Sequence, residues 1–347
     1  MSQLDWSLTE ERLALAKTVL DMSAALDDQL QLALDESGMS WIGIEESEGG
    51  SGGDDADLAI AIRALAGQAR NASLAETAFV SAWALRQCGH SEASRHIAPA
   101  FSTANDLQAV EREGRWWVSG TARQVPATSA AQLALLPIAL GDSWHLALLP
   151  ISSAEIEEED NLAGEIRTTL RFNSAPAELM LELPAHLNWI DLHARLGLAR
   201  AIQISGALLA VRDLTVSYAR TREQFGKPIA EQQAVAHMLA SVAEQALLAE
   251  AAVATAISTP GLWNNAIAKS VTSRAARSAA ATAHQVHGAM GMSEEYPLGA
   301  LTTRLWSWAE EGGRAEAWEN WIGRRFMEQD QPQLWESIVN PPESRHQ

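Results

Sequence analysis

The spacing of apolar residues divides the chain into three regions. Over residues 7–96, apolar side chains recur every three to four positions, as at Leu13, Val19 and Met22, which is the period of an amphipathic helix. Four glycines among residues 49–53 interrupt this pattern and predict a loop between helices. The first region is therefore predicted to be helical.

The second region has the pattern of short strands. Apolar or alternating runs are separated there by turn-rich sequence, which favours a small sheet or barrel. The runs occupy residues 115–120, 133–136, 144–149 and 178–183. Five acidic side chains at residues 155–160 lie between these runs, and because like charges are costly to bury they are interpreted as a solvated loop.

Long helical patterns return from about residue 189. Apolar residues recur every three to four positions in two segments, and a third segment is rich in alanine. These segments are residues 196–222, 231–258 and 263–287. Turns rich in glycine and proline separate them, which predicts about four antiparallel helices in a bundle.

The order helical, β, helical predicts an α+β multidomain fold. It comprises an N-terminal all-α domain over residues 1–98, a middle β-barrel or sandwich domain over residues 99–186, and a C-terminal four-helix bundle over residues 187–347. A length of 347 residues is consistent with two or three domains.

The composition and net charge of the chain argue against some classes of function. With 47% apolar and 20% charged residues the chain is an ordinary globular protein. Its 25 basic and 44 acidic residues give a net charge of −19, which repels nucleic acid and anionic membranes. We therefore expect no nucleic-acid binding. We also expect no membrane insertion, because no apolar run is expected to be long enough to span a bilayer.

The cysteine and histidine content indicates a reducing environment and no metal. The single cysteine, Cys88, cannot form an intrachain disulfide. No Cys/His cluster has the spacing of metal ligands. The N-terminus carries acids where a signal peptide would carry basic residues. A cytoplasmic location and no metal site are expected.

A local basic group stands out in this acidic chain. Arg220, Arg222 and Lys227 collect at the end of a predicted helix. The guanidinium fork of arginine suits bidentate binding of phosphate. Alternatively, these residues complement the negative end of the helix dipole. Spacing by itself leaves both interpretations open.

Two sequence blocks resemble the acyl-CoA dehydrogenase family. Residues 222–229 read Arg-Glu-Gln-Phe-Gly-Lys-Pro-Ile and are followed by Gln233 and His237; this is similar to the signature after the first long helix of that family's C-terminal domain. Residues 285–291 read Gln-Val-His-Gly-Ala-Met-Gly, with Tyr-Pro-Leu at residues 296–298, and look like the family's glutamine and glycine-rich turn.

This resemblance implies an FAD site between the middle and C-terminal domains, part of it supplied by another subunit. Arg222 would bind the FAD pyrophosphate across the subunit interface, with Phe225 packing nearby. Gln233, Gln285 and Gly288 would line the ADP portion of FAD. The chemistry is reasonable, because a glycine at position 288 lets the backbone approach a ligand closely.

The resemblance also implies a reaction and its base. In the family, a carboxylate removes the α-proton of an acyl-CoA thioester while the β-hydrogen leaves as hydride to the flavin, which forms a trans-2-enoyl thioester. Many members place this glutamate before a glycine, which here makes Glu311, before Gly312, the first candidate and Glu310 the second. Other members place it early in the first C-terminal helix, but residues 192–212 contain no acid.

Three departures from the family pattern point to a partner chain. Residues 100–115 lack the Thr-Glu-Pro segment that contacts flavin and thioester, and the chain is shorter than typical members. A tryptophan stripe also replaces the usual sequence near the C-terminus, and its spacing favours packing in the core or at a subunit interface. The stripe comprises Trp306, Trp308, Trp318 and Trp321.

These features resemble the short subunits that pair with a longer partner in bacterial steroid and related side-chain β-oxidation. Three functions remain open at this point. The first is an FAD-dependent acyl-CoA dehydrogenase that works in a homo-oligomer or a heterotetramer and passes electrons to electron-transfer flavoprotein or a similar acceptor. The second is a catalytically silent subunit that contributes to a partner's FAD site. The third is a flavin oxidase or monooxygenase on the same fold.

Overall fold

The computed structural model describes residues 9–26, 29–70, 72–102, 105–126 and 130–327. The helices of the N-terminal part are α1 Glu10–Ala25, α2 Leu30–Glu36, α3 Asp55–Gly67, and a π-helical stretch Leu74–Ala82 that continues into α4 Trp83–Gln87. Thr9 caps α1 with its side chain, and Asp54 forms a capping box with Asp57 at the start of α3. The residues 49–53 lie in the connection before α3, as predicted.

The middle part is a sandwich of two four-stranded sheets. Its strands are β1 His96–Pro99, β2 Asp106–Arg112, β3 Arg115–Val125, β4 Ala131–Leu140, β5 Ser143–Pro150, β6 Glu155–Asp160, β7 Ile166–Pro176 and β8 Leu179–Glu182. One sheet has the order β1-β4-β5-β8 and the other β2-β3-β7-β6. The predicted strands are confirmed. The first strand starts at His96, within the range assigned to the helical domain.

One predicted loop is instead a strand. The acidic residues 155–160 form β6, which pairs antiparallel with β7 at the edge of its sheet. All six side chains are exposed. The acidic side chains are therefore exposed to solvent, as predicted, but the backbone of the segment pairs along one side with β7.

The sheet that contains β4 is covered on both faces. Ala134 and Leu136 point into the core between the two sheets, whereas Leu133 and Leu135 join a core shared with the helices. Burial on both faces explains why this strand has a continuous apolar run instead of an alternating one. The same core includes side chains from α3 and from the C-terminal part, so the three predicted regions pack as one body.

The C-terminal part is a bundle of long helices. Its elements are α5 Trp189–Thr221, β9 Glu223–Gln224, β10 Lys227–Pro228, a 3-10 turn Ile229–Glu231, α6 Gln233–Ser258, α7 Leu262–His287, a 3-10 turn Gly288–Met292, α8 Leu298–Glu310 and α9 Ala315–Met327. The four helices α5 to α8 pack on one another, and α9 lies against α7. The predicted four-helix bundle and the fold class are confirmed.

Two of these helices, α5 and α6, are long and apolar enough to cross a membrane by length and composition, contrary to the expectation that no apolar segment is long enough. In α5, 89% of the apolar window is buried inside the protein, as in the central helix of a bundle. In α6 only 33% of the window is buried. Much of the apolar surface of α6 thus has no partner within the described chain.

Candidate functional site

The five residues predicted to bind the cofactor converge at one end of the helical bundle. Arg222 follows α5, Phe225 lies in the next turn, Gln233 begins α6, and Gln285 and Gly288 end α7. All five are exposed. They surround a small apolar cluster with Ala219, Ile229 and Val286 at its centre. We call these five residues the cofactor half-site; their role stays a prediction.

Phe225 is presented by a tight hairpin. The strands β9 and β10 pair antiparallel, and the two residues between them, Phe225 and Gly226, both have positive φ, 55° and 79°. Positive φ at both central residues is the signature of a type I′ turn. Phenylalanine is unfavourable in this region, yet its side chain is 92% exposed. The fold therefore accepts backbone strain and places a large aromatic side chain in solvent.

Gly288 provides an open backbone surface. Its φ of 58° and ψ of −137° are accessible to glycine and not to residues with a Cβ. A Cβ placed there would have no heavy atom within 4 Å, so the space in front of this backbone is unfilled. A ligand can therefore approach the peptide at the end of α7 closely.

The cations of this surface are available for an anion. Arg222 and Lys227 are exposed, and within the described ranges neither forms an ion pair. An arginine in this state can donate two hydrogen bonds to a phosphate. The half-site therefore fits the diphosphate of FAD, with Arg222 as the donor and Gly288 as the close backbone contact.

Glu311, the first candidate base, lies directly after α8 and is held by two arginines. Its Oε1 accepts from Arg167 Nε at 2.8 Å and from Asn161 Nδ2 at 3.1 Å. Its Oε2 accepts from Arg200 Nε at 2.8 Å and from Arg167 Nη2 at 2.9 Å. Both carboxylate oxygens are therefore occupied by charged or polar donors.

These contacts determine the protonation of Glu311. Burial by itself would raise the pKa of the carboxyl group, but the charges of Arg167 and Arg200 outweigh burial and lower the pKa to about 2. A general base works best with a pKa near the working pH and with a free lone pair. In this arrangement the Glu311 carboxylate has neither, so the geometry favours a structural role.

The ion pairs continue into all three parts of the chain. Arg200 Nη1 donates to Glu76 Oε1 at 2.7 Å, and Arg167 Nη2 donates to Glu165 Oε2 at 2.9 Å. We call Glu76, Glu165, Arg167, Arg200 and Glu311 the carboxylate–arginine cluster. Sequence analysis missed the two arginines and Glu76, because they lie more than one hundred residues from Glu311 in the chain and no local pattern relates them.

The second candidate, Glu310, is at the surface. Its carboxylate pairs with Arg277 and, at 2.6 Å, with Arg314. Its side chain is 42% exposed. Surface pairs of this kind contribute little to stability. Glu310 therefore also lacks the enclosed setting of a base that acts on a thioester.

Aromatic side chains fill the region next to Glu311. His193 Nδ1 donates to the carbonyl of Phe101 at 2.7 Å, in the segment where the family would place its flavin and thioester contacts. His193 also stacks on Trp318, whose Nε1 donates to Gly312 O at 2.9 Å. Burial lowers the pKa of His193. His193 and Trp318 therefore connect Phe101 to Gly312 beside Glu311.

The tryptophan stripe divides between core and partial exposure. Trp308 and Trp318 are buried, and Trp308 Nε1 donates to Glu165 Oε2 at 3.0 Å. Trp306 and Trp321 are half-buried. The predicted packing role is confirmed for Trp308 and Trp318.

The order of the three parts is that of the acyl-CoA dehydrogenase fold. Residues 192–327 match the family model described as acyl-CoA dehydrogenase, C-terminal domain. The C-terminal part of the chain is therefore similar to the acyl-CoA dehydrogenase family, in agreement with the resemblance found in its sequence.

Two curated relatives match part of the chain. Acyl-CoA dehydrogenase IpdE2 of Mycobacterium tuberculosis is 33% identical over 132 residues, which are 38% of this chain and 39% of the relative. The 3-sulfinopropanoyl-CoA desulfinase of Paraburkholderia xenovorans is 35% identical over 108 residues, 30% of this chain and 28% of the relative. The match thus spans less than half the length of either relative.

Solved structures extend the likeness in fold to most of the chain. A chain of the ChsE4-ChsE5 complex from Mycobacterium tuberculosis has a TM-score of 0.84 at 22% identity and covers 94% of this chain and 100% of its own. Butyryl-CoA dehydrogenase from Megasphaera elsdenii has a TM-score of 0.81 at 20% identity, with 92% and 99% covered. At these identities the comparison establishes the fold.

Proposed function

We propose that this chain is a subunit of a cytoplasmic, FAD-dependent acyl-CoA dehydrogenase and that it acts together with a second, longer chain of the same family. The assembly would oxidise an acyl-CoA thioester to the trans-2-enoyl-CoA and pass electrons to electron-transfer flavoprotein or a similar acceptor. In this assembly the partner removes the α-proton, and this chain contributes the cofactor half-site to the partner's FAD.

The ion pairs of Glu311 carry this proposal. The carboxylate at the position of the family's base is bound by Arg167 and Arg200, each at 2.8 Å. Releasing it would take one carboxylate away from each of two buried guanidinium groups, leaving Arg167 with Glu165 and Arg200 with Glu76, and breaking buried ion pairs costs several kcal/mol. A carboxylate that must break its ion pairs before it can accept a proton is a poor general base. A structural role for Glu311 fits these contacts better.

The half-site supports the same division of labour. FAD supplies the hydride acceptor when it is bound. Arg222 would hold its diphosphate, Phe225 would pack at the edge of the cofactor, and Gln233, Gln285 and Gly288 would line the ADP portion. All of these groups face outwards, which suits a cofactor whose remaining contacts come from another chain.

The outer face of α6 offers a surface for such a chain. Its exposed side chains are almost all apolar or uncharged, in a protein with a net charge of −19. They are Gln233, Ala234, Ala236, His237, Ala240, Glu244, Leu247, Leu248, Ala251 and Ser258. An uncharged helix face that begins at the half-site is well suited to packing against a subunit.

The first experiment compares the isolated chain with the assembly. The chain is purified with FAD, alone and co-expressed with a family member encoded beside it, and bound flavin is measured by absorbance. We expect a colourless chain alone and a flavin-containing complex that reduces an artificial acceptor with acyl-CoA. Bound flavin and turnover in the chain alone would contradict the proposal.

Variants of the complex then separate the two roles. Arg222→Ala removes the diphosphate donor, so we expect FAD affinity to fall about 100-fold, as for the loss of a charged hydrogen-bond pair. Glu311→Gln should leave turnover per bound flavin within about threefold, with Glu310→Gln as the matched control.

A second candidate function keeps Glu311 as the base. Its position before Gly312, as in many family members, favours this alternative. In that case Glu311→Gln abolishes turnover by several orders of magnitude while FAD remains bound, and Glu310→Gln retains activity. The same pair of variants therefore decides between the silent subunit and the enzyme.

A further inference from the structure

Three aromatic rings connect the end of α5, which precedes Arg222, to the end of α7, which precedes Gly288. Tyr218 and His287 stack with ring centroids 4.4 Å apart and an angle of 26° between the ring planes. Tyr296 approaches His287 at 5.1 Å and Tyr218 at 6.1 Å. We call these three residues the ring cluster. Both tyrosines of the chain lie in it.

Two of the three rings belong to residues that lie close in the chain to a half-site residue. Tyr218 lies one turn before Arg222, whose backbone N–H donates to Tyr218 O at 2.8 Å. His287 directly precedes Gly288 at the end of α7. The ring cluster thus links the segment that carries Arg222 to the segment that carries Gly288.

Hydrogen bonds fix the orientation of the rings. His287 Nδ1 lies 2.8 Å from Ala283 O, and because a carbonyl can only accept, Nδ1 carries the hydrogen. Nε2 of the neutral ring then accepts from the Tyr296 hydroxyl at 3.2 Å. The Tyr218 hydroxyl donates to His287 O at 3.3 Å, a carbonyl that the end of a helix leaves without an intrahelical partner.

We propose that Tyr218, His287 and Tyr296 are positioning residues for FAD: they hold Arg222 and the Gly288 backbone at the separation that the nucleotide end of the cofactor requires. The inference rests on the proposed function of the half-site. The reason is preorganisation, because Arg222 and Gly288 are both exposed and would otherwise have to be ordered when the cofactor binds.

The cluster also differs from ordinary core packing in its location. His287 is buried, whereas the groups that it positions are at the surface. A second histidine on the same helix makes a similar stack, since His284 lies 5.8 Å from Trp306 and 2.9 Å from Thr302 Oγ1. Among the described residues, the His284 side chain forms no ring stack and no hydrogen bond with the cluster, so His284 provides a matched control.

The test measures the dissociation constant of FAD in the co-expressed complex from the fluorescence of released flavin, alongside the melting temperature. Tyr218→Leu and His287→Ala should weaken FAD binding about tenfold or more. Tyr218→Phe keeps the ring and loses one hydrogen bond, so it should weaken binding only about three- to fivefold.

The controls make the outcomes distinct. His284→Ala should lower the melting temperature by a similar amount and leave FAD affinity within twofold. Equal losses of affinity in His284→Ala and His287→Ala would overturn the inference, because general destabilisation would then explain both. If Arg222→Ala weakens FAD binding but Tyr218→Leu does not, the inference is wrong and the half-site stands. If Arg222→Ala has no effect either, the proposed function fails as well.

Discussion

Glu311 shows how two opposing effects set the state of one residue. Removal from water favours the neutral acid, and the two guanidinium groups favour the anion. The anion prevails, with a pKa of about 2, because both oxygens accept charged hydrogen bonds. The same residue in an apolar pocket would have a raised pKa, which is what a general base requires.

The free energy of unfolding at acidic pH tests whether Glu311 is held as an anion by the two arginines. The pKa of Glu311 is lowered from 4.5 to about 2, so its contribution is complete above pH 4.5 and is lost as pH falls through 2. We expect Glu311→Gln to lower the free energy of unfolding at pH 7 by about 3 kcal/mol. The difference from wild type should shrink between pH 4.5 and pH 2.

Urea denaturation over this pH range measures the effect. Glu310→Gln is the control, because its pairs with Arg277 and Arg314 are at the surface, and we expect a change below about 1 kcal/mol. A constant difference between wild type and Glu311→Gln down to pH 2 would refute the ion-pair explanation.

At the scale of elements, the turn of the β9–β10 hairpin has a backbone conformation that its first residue, Phe225, does not favour. Its turn requires positive φ at Phe225, where asparagine or glycine is preferred. The sequence identified this segment by resemblance, but nothing in the pattern of apolar residues indicated a strained and exposed phenylalanine. The conflict is understandable if the side chain is buried on assembly.

Replacement of Phe225 should therefore change stability and assembly in opposite directions. Phe225→Asn should raise the free energy of unfolding of the isolated chain by about 1 kcal/mol, since asparagine tolerates the left-handed conformation. It should also weaken association with the partner, measured by analytical ultracentrifugation. Phe225→Leu keeps the strain and loses the ring, so it should weaken association without the gain in stability.

Most elements could be predicted because their signals are local. The apolar period of α5, α6 and α7 located these helices to within a few residues, except that α5 begins at Trp189. The edge strand β6 could not be predicted, because glutamates rarely form strands. Its pairing with β7 depends on a neighbour that a local pattern does not contain.

At the scale of the whole molecule, the distribution of charge matters more than its total. The net charge is −19, yet the exposed face of α6 has little charge. Leu247 and Leu248 are 57% and 47% exposed on this face. A monomer gains nothing from exposing them, whereas burial against another subunit would contribute about 25 cal/mol per Å².

A double substitution on this face should separate folding from assembly. Leu247→Glu with Leu248→Glu adds two charges to the apolar surface, so we expect the complex to dissociate at concentrations where wild type remains assembled. The monomer should keep its circular dichroism spectrum. Leu162→Glu, at a leucine that is 66% exposed in the middle part, is the control. Equal association of all three proteins in size-exclusion chromatography would rule out the α6 face as an interface.

The sequence by itself determined the order of the three regions, most of their elements and the resemblance to a family, because apolar periodicity and contiguous motifs are properties of short segments. It also located the five residues of the half-site, although their role remains a prediction. Only the tertiary structure decided the environment of Glu311, since Arg167 and Arg200 reach it from β7 and α5. A carboxylate becomes a base or an anchor through neighbours distant in sequence, and folding alone brings those neighbours together.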